Sequence, residues 1–159
     1  MENFEIINID GLIRRFPVGN GQFTALDRIT LKFGKGEFSG LVGPSGSGKT
    51  TLLNIIGSLD SPSEGAVSVL GNSIADLSHK QSARLRNRHI GFIFQTYNLL
   101  PVYTVYENVE FTLLLQRMPA DERKKAVMDA LEWVGLTDKI NSRPAQLSGG
   151  ESQRVAIAR

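Results

Sequence analysis

Hydrophobic positions change rhythm along this 159-residue chain, and the change separates a strand-like front from a helical back. Phe4 to Phe16 is rich in Ile and Phe, Val18-Gly19-Asn20-Gly21 is a turn cluster, and Phe23 to Phe33 is again apolar and β-branched until Gly34-Lys35-Gly36 stops it. The pattern predicts an antiparallel pair or small sheet with a hairpin. Phe38 to Val42 reads as a short apolar strand entering a glycine-rich loop, and Thr50 to Ser58 has the Leu/Ile density of a buried helix. Ser61-Pro62-Ser63-Glu64-Gly65 breaks the chain. A strand is expected at Ala66–Leu70 with a turn at Gly71-Asn72, then a polar helix from Ser78 to Asn87 and a strand from His89 to Phe94.

Beyond this point the period is helical. Thr104-Val105-Tyr106-Glu107 is a T-x-x-E capping box, in which the threonine and glutamate side chains satisfy each other's backbone N–H groups, opening a helix to about Gln116. Pro119 starts a second helix, where Val127, Ala130, Leu131 and Val134 repeat at i, i+3, i+4 and i+7, and Gly135 is its natural stop. Ser148-Gly149-Gly150-Glu151 is another capping box, with a helix beginning across Arg154 to Arg159.

Hydrophobic residues make up 41%, enough for one globular domain with a core, and the 21% charged residues are dispersed, which disfavours disorder. A net charge of +2, without a Lys/Arg block, gives no reason to expect a nucleic-acid partner. The absence of cysteine removes disulfides, thiolate metal sites and Cys nucleophiles, and suits a reducing cytoplasm. The acidic start Met1–Glu5 predicts no signal peptide. Apolar runs such as Leu113-Leu114-Leu115 are too short to span a bilayer, so work at a membrane would go through a partner.

The first chemical signal is Gly43-Pro44-Ser45-Gly46-Ser47-Gly48-Lys49-Thr50, which fits G-x-x-x-x-G-K-[ST] at every fixed position. Glycines let successive N–H groups converge on one anion, and the helix beginning near Gly48 adds its positive end. Lys49 supplies a full charge for β- and γ-phosphates, the Thr50 hydroxyl is placed to ligate Mg²⁺, and Thr51 continues the helix. The loop indicates a nucleoside triphosphate but not its use, because GTPases, kinases and motors share it.

The second signal narrows the class. Leu147-Ser148-Gly149-Gly150-Glu151-Ser152-Gln153-Arg154, followed by Val155-Ala156-Ile157-Ala158-Arg159, resembles the signature motif of ATP-binding cassette (ABC) ATPases. With the phosphate loop at this separation, the resemblance is specific and covers essentially the whole chain. It implies an α/β, P-loop NTPase fold of ABC type. The parts expected are an N-terminal antiparallel β part with the P-loop core (1–95), including a partial parallel core sheet, a helical subdomain (96–146), and the signature motif with the start of the next helix (147–159).

The resemblance also implies ATP and Mg²⁺ as ligands. Gly43, Pro44, Ser45, Gly46, Ser47, Gly48, Lys49, Thr50 and Thr51 would hold the phosphates, and Phe16, in Arg14-Arg15-Phe16-Pro17, takes the place of the aromatic that stacks on adenine. Phe23 is the fallback. Gln95, in Phe92-Ile93-Phe94-Gln95-Thr96, matches the Q-loop glutamine, whose amide would reach Mg²⁺ and the attacking water. Lys49 and Gln95 thus carry the catalytic roles, and Thr50 and Gln95 the metal contacts. Ser148, Gly149 and Gly150 would face the nucleotide held by a second ABC domain packed head to tail. Thr104 to Val109 resembles the segment that faces a transmembrane permease, which implies a cytoplasmic location peripheral to the plasma membrane. His79 and His89 match no catalytic position.

Asn98-Leu99-Leu100-Pro101, Arg143-Pro144-Ala145-Gln146 and Arg15-Phe16-Pro17 are most similar to the lipoprotein-release and macrolide-export type of bacterial exporter ATPase. The family's Walker B aspartate, catalytic glutamate, D-loop and switch histidine have no counterpart up to Arg159. The expectation is therefore an incomplete domain without a general base, poorly stable and inactive in isolation, with an unpaired apolar strand edge at Phe38–Val42. Two other readings are a non-transport ABC protein, acting as an ATP-driven scaffold or regulator, and a nucleotide-binding module that never hydrolyses. A neighbouring reading frame encoding transmembrane helices would separate the transporter from the scaffold.

Overall fold

A computed structural model describes residues 5–159; Phe4, where the first strand was expected to begin, and the rest of the acidic start lie outside the described residues. The chain forms two compact units, one ending at Ile90 and the other spanning Gly91–Arg159.

The first unit is built on a four-stranded sheet. Strands β1 (Glu5–Val18), β2 (Gly21–Gly34), β3 (Glu64–Val69) and β4 (Asn72–Ser73) lie in the order β2-β1-β3-β4, every pairing antiparallel. Val18 faces Gly21 across the hairpin, and Gly19 supplies the positive φ (56°) that a two-residue connection needs at its first position. The ladder slips between Ile9 and Leu12, where Gly11 (φ 57°) bulges. Here β3 crosses so closely that a Cβ on Gly65 would lie 2.4 Å from the Gly11 carbonyl oxygen. Against this sheet packs α1 (Lys49–Ile56), whose Leu52 and Ile55 join Ile9, Leu12, Leu26, Val67 and Val69 in the core. Leu85 of α2 (His79–His89) closes it, with Ser78 forming a capping box at that helix's start.

Two expected strands are absent. Residues 38–42 form no ladder, and of the expected strand His89–Phe94 the first residue ends the preceding helix while 90–94 form none, so no parallel pairing exists among the described residues and the sheet is antiparallel throughout. An apolar run becomes a strand only where a neighbour accepts its hydrogen bonds, and neither segment has one. Phe38 and Val42 are fully exposed as a result. Between residues 37–41 and the sheet lies a groove of 220 Å³ lined by Ile6, Phe33, Leu41, Leu53 and Ile56.

The second unit is helical. Helices α3 (Val105–Leu115), α4 (Ala120–Trp133) and α5 (Gly149–Ala158) enclose Val105, Val109, Val127, Leu131, Leu136 and Val155. Fully burying one such side chain contributes about 1.5–3 kcal/mol, so this cluster is the unit's main source of stability. Both expected capping boxes form, Thr104 with Glu107 and Ser148 with Glu151, while Pro119 precedes α4 and Gly135 (φ 66°) follows it. An Arg123–Glu110 ion pair of 2.7 Å ties α4 to α3. No helix among the described residues is long and apolar enough to cross a membrane.

Candidate functional site

The phosphate loop belongs to the first unit, and its shape follows from two glycines in the left-handed region, Gly46 (φ 80°) and Gly48 (φ 85°). Gly48 is also pressed against β2: a Cβ there would lie 2.6 Å from the Ala25 carbonyl oxygen and 2.8 Å from Leu26 Cδ2. Only glycine satisfies both conditions. The chain then turns directly into α1, with no side chain capping the helix and no acidic residue in its first turn. Its leading N–H groups and positive end therefore stay available to an anion.

The Lys49 ammonium folds back over the loop. It donates to the carbonyl oxygens of Gly43 (2.8 Å) and Pro44 (2.7 Å) and to Ser47 Oγ (3.2 Å), which holds its charge against the loop. Thr50 is exposed at the next position. Among the described residues no group of three His, Cys, Asp or Glu could hold a metal ion. A lone threonine hydroxyl fits Mg²⁺ carried in by phosphate oxygens and water rather than an all-protein cage.

Phe16 and Phe23 prove to be directly opposed across the β1–β2 ladder, so the first candidate for base stacking and its fallback share one face of the sheet. Phe16 is half-buried, with the Arg14 guanidinium 4.6 Å from its ring centroid, and Phe23 is exposed. The sequence reading gave Arg14 no role. Its only signal was a position two residues before Phe16, the spacing that places two side chains on one face of a strand.

The remaining candidates lie in the second unit. Gln95 is exposed in a turn. The two residues that follow its neighbour Thr96, Tyr97 (φ 58°) and Asn98 (φ 50°), are left-handed, and Arg159 donates to both their carbonyl oxygens, at 3.0 and 2.7 Å. Ser148, Gly149 and Gly150 start α5. Ser148 Oγ accepts from Glu151 N (3.2 Å), and Glu151 Oε2 accepts from Ser148 N (2.7 Å). These bonds hold the Glu151 carboxyl below its ordinary range, the backbone N–H being the larger cause. Neither glycine has a positive φ, and a Cβ on Gly149 or Gly150 would come no closer than 3.8 Å to anything.

Sequence reasoning also missed Asn108. Fully buried, it accepts from Leu100 N (2.8 Å) and donates to the carbonyl oxygens of Leu100, Tyr103 and Thr104 (3.2, 3.2 and 2.9 Å). It ties the loop ahead of α3 to the helix's first turn, and it lies within Thr104 to Val109, the segment expected to face a permease. An asparagine within an amphipathic helix carries no mark of this in sequence.

Comparison with known proteins places the chain at the level of family and fold. The family described as ABC transporter matches residues 26–159. An uncharacterized ABC transporter ATP-binding protein of Thermotoga maritima is 46% identical over 144 residues, 91% of this chain and 62% of that protein. The lipoprotein-releasing system ATP-binding protein LolD of Bacteroides fragilis is 40% identical over 97% of this chain and 69% of its own length. The macrolide export ATP-binding/permease protein MacB 1/2 of Paracoccus denitrificans is 46% identical over 97% of this chain, but only 23% of that protein is covered. Among solved structures, the post-hydrolysis dimer of the ATP-binding cassette MJ0796 bound to ADP and Pi superposes with a TM-score of 0.89 at 40% identity, covering 96% of this chain and 67% of that one. The chain thus spans roughly two thirds or less of the length of these relatives. With the phosphate loop, the signature helix start and the whole described fold matched together, the chain belongs to the ABC transporter family, in its ATP-binding part, and is similar to the lipoprotein-release and macrolide-export type.

Proposed function

We propose that the chain is the nucleotide-holding part of an exporter ATPase that binds ATP with Mg²⁺, pairs head to tail with a second ABC domain, and drives a transmembrane permease from the cytoplasmic side. The observation that carries this reading is the start of α1, uncapped and free of acidic residues, with Lys49 held over a loop whose Gly48 admits no side chain. Such an end attracts phosphate through its N–H groups, its dipole and one full charge.

The second half-site rests on a different observation. Gly149 and Gly150 are needed by nothing in their own unit, since neither requires positive φ and neither faces a crowded neighbour. Their lack of side chains is accounted for by something approaching from outside, and a nucleotide phosphate held by another domain has the right chemistry. Gln95 and Thr50 would share the metal, and Thr104 to Val109, at the start of α3, would meet the permease. None of the residues assigned to the nucleotide or the metal is a carboxylate or histidine that could act as general base, so the 159-residue chain by itself is proposed to bind nucleotide without turning it over.

The test is equilibrium binding of ATP with Mg²⁺, together with light scattering to follow dimerisation in the full-length protein. Lys49→Ala is expected to weaken binding about 10- to 100-fold, the loss of a charge-assisted phosphate contact. ATP is expected to promote a dimer that Gly149→Glu abolishes while leaving monomer binding intact. Undiminished binding by Lys49→Ala would refute the phosphate site. An ATP-promoted dimer insensitive to Gly149→Glu would refute the second half-site. ATP turnover by the 159-residue chain would refute its proposed inactivity.

A further inference from the structure

Arg14 has no part in the function proposed above, yet it is held by two partners. Its Nε donates to Asp60 Oδ2 (2.9 Å), its NH2 lies 2.8 Å from Asp60 Oδ1, and its guanidinium carbon stands 4.6 Å from the centre of the Phe16 ring. The pair is about three-quarters buried, with side-chain exposures of 22% and 26%. A bidentate fork of this kind fixes the guanidinium plane as well as its position. Asp60 is itself anchored just past the end of α1: Leu59 N and Asp60 N both bond the Asn54 carbonyl oxygen (2.8 and 3.2 Å), and Ser61 N donates to Asp60 Oδ1 (2.8 Å). Neighbouring bonds run the same way, from Ser63 N to Ile13 O (2.8 Å) and from Arg15 N to Ser63 Oγ (3.0 Å). The 13–16 stretch of β1 is thereby stitched to the segment that leaves the phosphate-loop helix.

We propose that Arg14 is a positioning residue for base recognition: it occupies one face of the Phe16 ring, so that a base stacks on the opposite face, and through Asp60 it sets that ring relative to the far end of α1. The inference rests on Phe16 being the base platform. A cation on one face draws π-density toward itself, leaving the other face better suited to an electron-rich purine. Arg14 therefore supports stacking, and its role goes beyond filling space. If the ion pair served only to hold β1 to the segment after α1, losing it would weaken every ligand of this unit alike.

That difference supplies the test, made in the full-length protein with ATP and with inorganic tripolyphosphate, each with Mg²⁺. Arg14→Met keeps the apolar stem and is expected to weaken ATP binding about three- to tenfold while tripolyphosphate changes by less than about twofold. Asp60→Asn, which loosens the guanidinium without removing it, is expected to shift the ATP-to-tripolyphosphate ratio in the same direction by less. The double variant should match Arg14→Met alone. Equal weakening of both ligands, or of neither, overturns the proposal, and if Arg14→Met does not fold, the ratio in Asp60→Asn decides it. Phe16→Ala separates the two levels. A ratio unchanged by Phe16→Ala removes the platform and this inference with it, whereas a ratio that responds to Phe16→Ala but not to Arg14→Met removes only the inference.

Discussion

Two helices in this protein begin at glycines, and their beginnings are built in opposite ways. Helix α1 opens behind Gly48, left-handed, with no side-chain cap and no acidic residue in its first turn. Helix α5 opens behind Ser148, in extended conformation, with a complete capping box and the Glu151 carboxylate in its first turn. The first leaves its N–H groups and positive end to a ligand. The second satisfies two of its own donors and half-neutralises its own dipole, which makes it a weaker anion site that keeps only the glycine N–H groups open. The contrast teaches that a glycine can be demanded by the fold around it or by what docks on it. Gly48 is of the first kind; Gly149 and Gly150, which no neighbour in their own unit crowds, are proposed to be of the second.

The largest expected effect is at Gly48. Alanine there must adopt φ near 85° and push its Cβ into the Ala25 carbonyl, 2.6 Å away. Left-handed strain and overpacking together are expected to cost about 2–4 kcal/mol. Thermal unfolding reads this directly, and nucleotide affinity should fall with it because the loop's N–H groups no longer converge. A Gly48→Ala protein that melts and binds as the parent does would erase the distinction between the two helix starts.

Such a distinction was only partly legible in the sequence. The phosphate loop, the capping boxes at Ser78, Thr104 and Ser148 and the hairpin at Gly19 depend on residues within a few positions of each other, so local chemistry can reveal them. The sequence named two of these boxes and placed the third helix without its Ser78–Gln81 box. Residues 38–42 and 90–94 show the limit. Their apolar runs look like strands, but a ladder is a property of two segments, and pattern in one says nothing about the presence of the other. Gly48's second constraint was hidden for the same reason, because Ala25 is brought to it only by the fold. Asp60 and Asn108 carry no local signature at all: one meets its partner 46 residues away, and the other is a polar residue with a full set of backbone partners inside an apolar cluster.

At Ser148 the cap and the proposed phosphate contact can be pulled apart. Ser148→Ala removes the acceptor for Glu151 N and is expected to cost about 1 kcal/mol in the stability of the helical unit. Ser148→Asp restores the cap, since aspartate caps as well as serine does, but sets a second negative charge where a phosphate would approach. Stability should therefore recover in the aspartate variant while ATP-promoted dimerisation does not. Recovery of both would leave Ser148 as a cap alone.

Gly150→Ala is expected to have a smaller effect and the opposite sign to Gly48→Ala. The nearest atom to an added Cβ is Arg154 NH1 at 3.9 Å, an ordinary contact, and alanine is the better helix former. Stability should stay level or rise by at most about 1 kcal/mol, with any penalty confined to dimerisation. A loss of stability comparable to that of Gly48→Ala would mean that α5 needs its glycines for its own fold.

The smallest expected effect is a difference in pH response between the two helix starts. The Glu151 carboxyl is held below its ordinary 4.5 chiefly by the Ser148 backbone N–H, and Glu107 likewise by Thr104 N–H. Unfolding releases both to the ordinary value, so the contribution of each capping box is complete above that value. The charge-assisted part of it is lost as pH falls through the depressed value of the folded state, when the carboxylate gains a proton and accepts only as a neutral group. The first turn of α1 has no carboxylate to titrate. Amide-exchange protection measured from about pH 6 down to about pH 3, corrected for intrinsic rates, should therefore decline in the first turns of α3 and α5 before it declines in α1. Glu151→Gln can still accept from Ser148 N but cannot titrate, and should flatten the response of α5 alone. A decline at α1 that keeps pace with α5 would show that acid acts on the fold as a whole rather than on the capped helix starts.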